Sequence, residues 1–392
     1  MYSFGYSKLI LLLTMVDLVR MNSDASDRTD SFVETLPRYV LYDVNPSEGF
    51  NLRRDVFLRM AEFIRHLNKV SNYNWILVMP PWHQLYHWRT LDIDQEYLPW
   101  SLFFDIDSIK TTTPVLELHE FLEVNGLRPL DVQVTLQNYP GLSDPNHDWS
   151  DNWDVANCIE PIKKKFWSSE NLTAITSICV SFQGPSTLLV KIINDFQPRT
   201  IMFNHAEVTL HEYYGGQEYW LIRKSMQFSK NLINIAKQFK ENHLKDNYLC
   251  AHLRRRDFLF GRPKEVPTIE WAAKQIFDIL RSLKEIQVIF VSTDAPDSEV
   301  RQLKKSLEGY RVLKFEANKE ILRLFKDGGV AIIDQIICSR AKFFVGTHES
   351  TFSFRIQEER EILGYAPETT FNRLCGNGKN ICSQPSKWRL VN

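Results

Sequence analysis

From Tyr248 to Val345 the chain alternates four short apolar runs with helical periodicity, and few folds accept that alternation. Residues 248–253, 288–292, 311–315 and 342–345 read as buried strands. Between them Ile269, Ala273, Ile276, Leu280 and Leu283 recur with a 3.6-residue period, Val300, Leu303 and Leu307 do the same, and 329–339 is an apolar helix. Strands separated by helical crossovers lie parallel, so this third of the chain predicts a doubly wound α/β sheet. The start of the chain repeats the logic. Residues 39–44 read as a strand, Asn45-Pro46-Ser47-Glu48-Gly49 as a turn, and Val56, Met60, Phe63, Ile64, Leu67 and Val70 as one face of a helix. A second strand, 75–79, stops at Pro80-Pro81. Short apolar runs at 115–118, 132–136, 177–182 and 199–203 fill the middle, and a long helix over 217–243 is expected to bridge two α/β halves. The expected organisation is a leader at 1–30, an N-terminal Rossmann-like domain at 36–220 and a C-terminal one at 221–392, with a ligand in the cleft between them.

The 392 residues carry 47 basic and 48 acidic side chains, which argues against a polyanion binder held by net charge and hence against a nucleic-acid partner. After Lys8 an apolar run, 9–16, is interrupted by Asp17 and Arg20; it is too short to span a bilayer and reads as a secretory leader cleaved near Ala25. Cys375 and Cys382 flank Gly376-Asn377-Gly378 and are candidates for a small disulfide loop; Cys158 and Cys179 lie in polar surroundings and are a second candidate pair. Cys250 and Cys338 fall in apolar segments and are expected to be buried thiols. Asn171-Leu172-Thr173 is a glycosylation sequon.

Three segments hold residues suited to chemistry. His252-Leu253-Arg254-Arg255-Arg256-Asp257 follows a strand, where open α/β sheets bind ligands, and arginine suits phosphate oxygens; alternation would point His252, Arg254 and Arg256 the same way. A solvated basic turn is the plainer alternative. Ser47-Glu48-Gly49-Phe50-Asn51-Leu52 opens a helix, with Gly49 allowing a turn and close approach, and Glu48 either a helix-terminal charge or a general base. Gly346-Thr347-His348-Glu349-Ser350-Thr351-Phe352 also leads into a helix, with hydroxyls for a diphosphate, a sugar or simple capping. Ser292-Thr293-Asp294, Asp327 and Asp334 are candidates for ribose or base contacts, or for caps. Two Asp-x-Asp triplets, Asp92-Ile93-Asp94 and Asp105-Ile106-Asp107, read as exposed loop charge, and no metal site is expected. A P-loop, a Gly-x-Gly-x-x-Gly turn, a Gly-x-Ser-x-Gly elbow and a His-Glu-x-x-His pair are all missing.

Together these words resemble the protein O-fucosyltransferases. His252 to Asp257 is similar to the arginine motif of several GDP-fucose-dependent families. Tyr42-Asp43-Val44-Asn45-Pro46, Glu48-Gly49-Phe50-Asn51-Leu52-Arg53-Arg54-Asp55, Lys326-Asp327-Gly328-Gly329 with Val330 to Gln335, and Ser350-Thr351-Phe352-Ser353-Phe354-Arg355 with Ile356 to Arg360 match the branch that modifies thrombospondin type 1 repeats. The resemblance implies a GT-B-like architecture, a monomeric inverting enzyme of the endoplasmic reticulum lumen, GDP-fucose as donor, no obligatory metal, and Ser or Thr of a folded thrombospondin repeat as acceptor. It implies Glu48 as base and Arg254 as the group that stabilises the leaving GDP. Ser47, Gly49, Phe50, Asn51, His252, Leu253, Asp334, Thr351 and Phe352 would bind the donor. A non-catalytic quality-control binder of disulfide-rich repeats, and an enzyme acting on epidermal-growth-factor-like repeats, are the alternatives. Thr347-His348-Glu349 is bulkier than the resemblance leads one to expect.

Overall fold

A computed structural model describes residues 36–391 apart from 84, 127, 142–148 and 168–171; the expected leader and the sequon asparagine Asn171 lie outside the described residues. Pro37–Asn392 forms one compact unit containing two sheets. The first is built from β1 (Arg38–Tyr42), β2 (Trp75–Met79), β3 (Val115–Glu117), β4 (Leu130–Asn138), β5 (Asn152–Ala156), β6 (Ala174–Gln183) and β7 (Thr200–Asn204), in the order β3-β2-β1-β7-β4-β6-β5. All pairs are parallel except β5 with β6. The crossovers carry α1 (Phe50–Val70), α2 (Ile106–Lys110), α3 (Leu118–Asn125) and α4 (Leu189–Phe196). The second sheet is wholly parallel, in the order β10-β9-β8-β11, from β8 (Tyr248–Leu253), β9 (Val288–Thr293), β10 (Arg311–Leu313) and β11 (Phe343–Val345).

The sheets are joined by α5 (Gln217–Ser225) and α6 (Lys230–Phe239), not by one helix over 217–243. The break has a cause outside the local sequence. Residues 226–229 are taken up by main-chain hydrogen bonds to a distant segment: Asp105 N donates to Gln227 O at 2.9 Å and Ser229 N to Phe103 O at 2.9 Å. Continuing the helix would leave Asp105 N and Phe103 O without these partners. The remaining helices are α7 (Arg256–Gly261), α8 (Ile269–Ser282), α9 (Asp297–Ser306), α10 (Lys319–Ser339), α11 (Thr351–Ile362) and α12 (Pro367–Thr370). Within α10, Lys326 has φ 60° and ψ −178°, so the helix is kinked just before Asp327.

One continuous hydrophobic core runs from β1 and α1 through Phe228 and Leu232 to Ile332, Ile336 and Ile356. The helix α1 is buried around most of its circumference, so its polar residues need internal partners. Asp55 meets Arg59 at 2.5 Å, His211 at 3.2 Å and Arg355 at 3.4 Å. Arg355 and Arg223 each bond Glu358 at 2.8 Å, and Tyr219 also reaches Glu358. This charged seam ties α1, α5 and α11 together.

The expected pairs Cys158–Cys179 and Cys375–Cys382 are disulfides. Cys250 and Cys338 are not thiols but a third disulfide, with Cα atoms 5.2 Å apart. Their apolar neighbours signal burial correctly. What they hide is that β8 and the end of α10 pack face to face. Asp105 of the second Asp-x-Asp triplet caps α2, accepting from Ser108 N. Among the described residues, no helix is long and apolar enough to cross a membrane. No group of three or more His, Cys, Asp or Glu side chains there is placed to hold a metal ion.

Candidate active site

Both sheets send the carboxyl ends of central strands into one cavity of about 690 Å³. After β1 the chain is laid down by its neighbour β7 and by its own polar groups. Asp43 N donates to Phe203 O at 2.9 Å, and Ala206 N donates back to Asp43 O at 3.0 Å. Asn45 then makes an Asx turn, its Oδ1 accepting from Ser47 N at 3.0 Å and Ser47 Oγ at 2.9 Å. Asn45 O accepts from Glu48 N at 2.9 Å, and Arg53 Nε donates to Glu48 O at 3.0 Å. The main chain of Glu48 is therefore held from both sides, while its side chain faces the cavity. Burial raises the Glu48 carboxyl above its ordinary value and nearby Glu207 adds to this, against Arg53 and Arg59.

Gly49 needs no unusual backbone, its φ being −78°. Its hydrogen side chain matters for another reason: a Cβ there would sit 3.1 Å from His87 Cδ2. The close approach, not the turn, is what glycine permits. Asn51 turns sideways: its Oδ1 accepts from Gln335 Nε2 at 2.8 Å and from Arg54 Nη1 at 3.3 Å.

At the end of β8, His252 is buried, hydrogen-bonded through Nδ1 to Ser353 Oγ at 2.8 Å and stacked on Phe352 with centroids 4.5 Å apart. Burial, with Arg254 adding, lowers its pKa to about 3, so the ring is neutral across the working pH range. Arg254 forms ion pairs with Asp257 at 2.7 Å and Asp294 at 3.0 Å, and its Nη2 lies 3.1 Å from His87 Nδ1. Its main chain is fixed by Thr347, whose Oγ1 accepts from Arg254 N at 2.9 Å and donates to His252 O at 2.8 Å. Thr347, which stood out in the sequence, thus clamps β8 to the loop after β11.

The expected alternation holds: His252, Arg254 and Arg256 all line the cavity. Arg255 points the other way, into Glu299 at 2.8 Å and Pro267 O. Leu253, expected as a donor contact, is not among the residues that line the cavity. It is buried in the core of the second sheet, its carbonyl accepting from Thr293 Oγ1 at 2.7 Å. Ser47, Glu48, Gly49, Phe50, Asn51, Asp334, Thr351 and Phe352 line the cavity with the arginines. Asp334 accepts from Ser292 Oγ through Oδ2 at 2.7 Å, while its buried Oδ1 has no hydrogen-bond partner. Burial raises this carboxyl to about 7, against Ser292 and Lys314.

A third wall, the 86–90 segment, has no counterpart in the sequence reading. Tyr86, His87, Trp88, Arg89 and Thr90 all line the cavity. Asp327, a candidate ribose ligand or cap, instead latches this segment: it accepts from Thr90 N at 2.9 Å, Thr90 Oγ1 at 2.6 Å and Gln95 Nε2 at 3.2 Å. Gly328 makes room beside it, since a Cβ there would stand 2.6 Å from Trp88 Cζ2. A signal did exist: an aromatic- and His-rich stretch immediately after the carboxyl end of β2. His87 spans the space between Gly49 and Arg254, and burial with the Arg254 charge lowers its pKa to about 4. The cavity thus offers a held carboxylate on one wall, a guanidinium on another and an unpaired buried acceptor.

Residues 39–363 match the family model described as GDP-fucose protein O-fucosyltransferase. The chain is 39% identical over 392 aligned residues to the GDP-fucose protein O-fucosyltransferase 2 of Homo sapiens, covering 90% of each. It is 37% identical to the protein of the same name from Caenorhabditis elegans, covering 100% of each. Among solved structures, POFUT1 in complex with GDP-fucose superposes with a TM-score of 0.59 at 16% identity, over 91% of this chain and 99% of that one, a likeness in GT-B-like fold.

Proposed function

The chain belongs to the GDP-fucose protein O-fucosyltransferase family, and from that premise we propose that it is an inverting glycosyltransferase moving fucose from GDP-fucose to Ser or Thr of folded thrombospondin type 1 repeats. The observation that carries this reading is the pairing, in one cavity, of Glu48 on the first sheet with Arg254 on the second. In the reaction the acceptor hydroxyl oxygen bonds to the anomeric carbon as the bond from that carbon to the β-phosphate oxygen breaks. The hydroxyl proton passes to Glu48, and the electron pair of the broken bond leaves with GDP. A carboxyl whose proton affinity is raised by burial is a better base than a solvated one. Negative charge grows on the diphosphate as the bond breaks, and the Arg254 guanidinium, already oriented by Asp257, Asp294 and Thr347, is in place to meet it. Neutral His252 adds no competing charge and holds Phe352 flat. The free Oδ1 of Asp334 suits the adjacent N–H donors of a guanine edge.

Both walls come from one chain, so a monomer suffices. The acceptor class and the endoplasmic reticulum lumen are what the resemblance carried by the motif words, among them residues 48–55 and 350–360, implies. The three disulfides fit such an oxidising compartment. The test is intact-mass spectrometry of a folded thrombospondin repeat incubated with the protein and GDP-fucose, beside a reduced repeat and an epidermal-growth-factor-like repeat. One added deoxyhexose on the folded thrombospondin repeat alone is the expected result. Addition only to the growth-factor-like repeat would change the acceptor. No addition anywhere, with GDP binding measured by calorimetry, would overturn the catalytic reading.

A further inference from the structure

The turn that carries Glu48 is also anchored from far along the chain. Asn45 N, at the head of the Asx turn, donates to Glu207 Oε2 at 3.1 Å across 162 residues of sequence. Glu207 is set there by the end of β7. His205 adopts φ 60° and turns the chain into a short 3₁₀ turn, Ala206–Val208, whose first N–H is the one bonded to Asp43 O. The carboxylate is oriented from its other oxygen, Oε1, by His205 Nδ1 at 3.0 Å, and its main-chain oxygen accepts from Arg59 Nη1 at 3.2 Å. The residue is therefore fixed at both ends, with its charge close to Glu48.

We propose that Glu207 is a positioning residue for Glu48: it fixes the 45–48 turn through the Asn45 N–H and sets a like charge beside the base. The proposal rests on the reading of Glu48 as the base. A positional role and an electrostatic role are separable here. Glutamine keeps an oxygen for Asn45 N but removes the charge; alanine removes both. The groups that act on Glu48 are Glu207, Arg53, Arg59 and Tyr86. Those that act on the Glu207–His205 pair are Arg53, Glu160 and Asp43. Removing the Glu207 charge leaves Arg53 and Arg59 less opposed, so Glu48 becomes a weaker base that deprotonates at lower pH. The His205 pKa is raised, chiefly by its hydrogen bond to Glu207, so its protonation on acidification partly cancels the Glu207 charge. The like-charge effect is therefore greatest at neutral pH and above.

The experiment is a carbon-13-detected titration of glutamate side-chain carboxyls in the intact protein, with Glu48 assigned by the signal that disappears in Glu48→Gln. In Glu207→Gln the Glu48 midpoint should fall by roughly half to one pH unit. The acid limb of kcat/KM should move down by the same amount, with KM for GDP-fucose unchanged. Glu207→Ala should show the same fall in midpoint and a further loss in kcat of roughly tenfold, because the base is no longer held in place. If the alanine variant does not fold, the glutamine variant decides the electrostatic role, and Glu207→Leu, which has no acceptor for Asn45 N but a similar volume, decides the positional one. A Glu48 midpoint in Glu207→Gln equal to that of the parent, with Glu48→Gln inactive, would overturn the electrostatic role of Glu207, and parent-like kcat in a folded Glu207→Ala would overturn its positional role; either result leaves Glu48 as the base. Parent-like turnover by Glu48→Gln would overturn both.

Discussion

The loop after β1 and the carboxyl end of β8 occupy equivalent places, each leaving a parallel sheet for the same cavity, yet their polar groups are used in opposite ways. Around Glu48 the fixed partners hold the main chain: Asn45, Arg53 and the β7 continuation leave the carboxyl itself free. Around Arg254 the partners hold the side chain, with Asp257 and Asp294 on the guanidinium. A free carboxyl under a like charge is poised to take a proton. A guanidinium between two carboxylates is locked in position but must be shared with any anion that enters. The first arrangement favours proton transfer and the second favours orientation, which is the division of labour a displacement at an anomeric carbon requires.

The comparison breaks most sharply at Glu48. Glu48→Gln should lose roughly 10²- to 10⁴-fold in kcat while GDP still binds, because only the proton acceptor is removed. Steady-state transfer beside GDP calorimetry checks it, and parent-like turnover would mean that the held loop does something else. Arg254→Ala should lose about 10²- to 10³-fold in kcat and also weaken GDP. The contrast between the two variants in GDP affinity sharpens the division.

Asp334 extends the comparison to stability. Its carboxyl is held near 7 in the folded protein against an ordinary 3.8. Between those values the unfolded chain gives up the proton and the folded chain keeps it, so stability falls as pH rises from about 4 to about 7. Asp334→Asn should therefore raise stability by on the order of 2–4 kcal/mol at pH 8, with little change at pH 4, and weaken GDP at least roughly tenfold. Denaturant melts at the two pH values, with calorimetry, read both effects; equal stability at pH 8 would contradict the burial argument. Smallest should be Gly328→Ala, which pushes a methyl into Trp88 and Phe103. It should cost about 1–3 kcal/mol and raise KM for GDP-fucose, since His87 and Arg89 flank the displaced ring. An unchanged KM would remove the 86–90 wall from donor binding.

Elements whose identity is set by their own residues were legible. Trp75–Met79 and Tyr248–Leu253 are continuous apolar strands with the bounds that the sequence suggests, and Glu48 and Arg254 do follow strands of separate sheets. What local pattern could not carry was any feature decided by a distant partner. The 217–243 stretch reads as one helix because nothing in it shows that 103–105 will bond to its middle. Cys250 and Cys338 read as buried because each segment is apolar, and only the packing of α10 on β8 makes them partners. Asp327 reads as a nucleotide ligand or a cap until Thr90 and Gln95 are brought to it. Leu253 reads as part of a site motif, although alternation along a strand turns it into the core.

The central claim is a single displacement, with one base on one wall and the leaving diphosphate held at the other. The most direct test is the anomeric configuration of the product: proton–carbon correlation NMR of the fucosylated repeat beside GDP-fucose itself. A fucosyl linkage of opposite configuration to that in the donor is the expected result. Retention of the donor's configuration would require a second displacement and with it an enzyme nucleophile, and would contradict the role of Glu48 as a base.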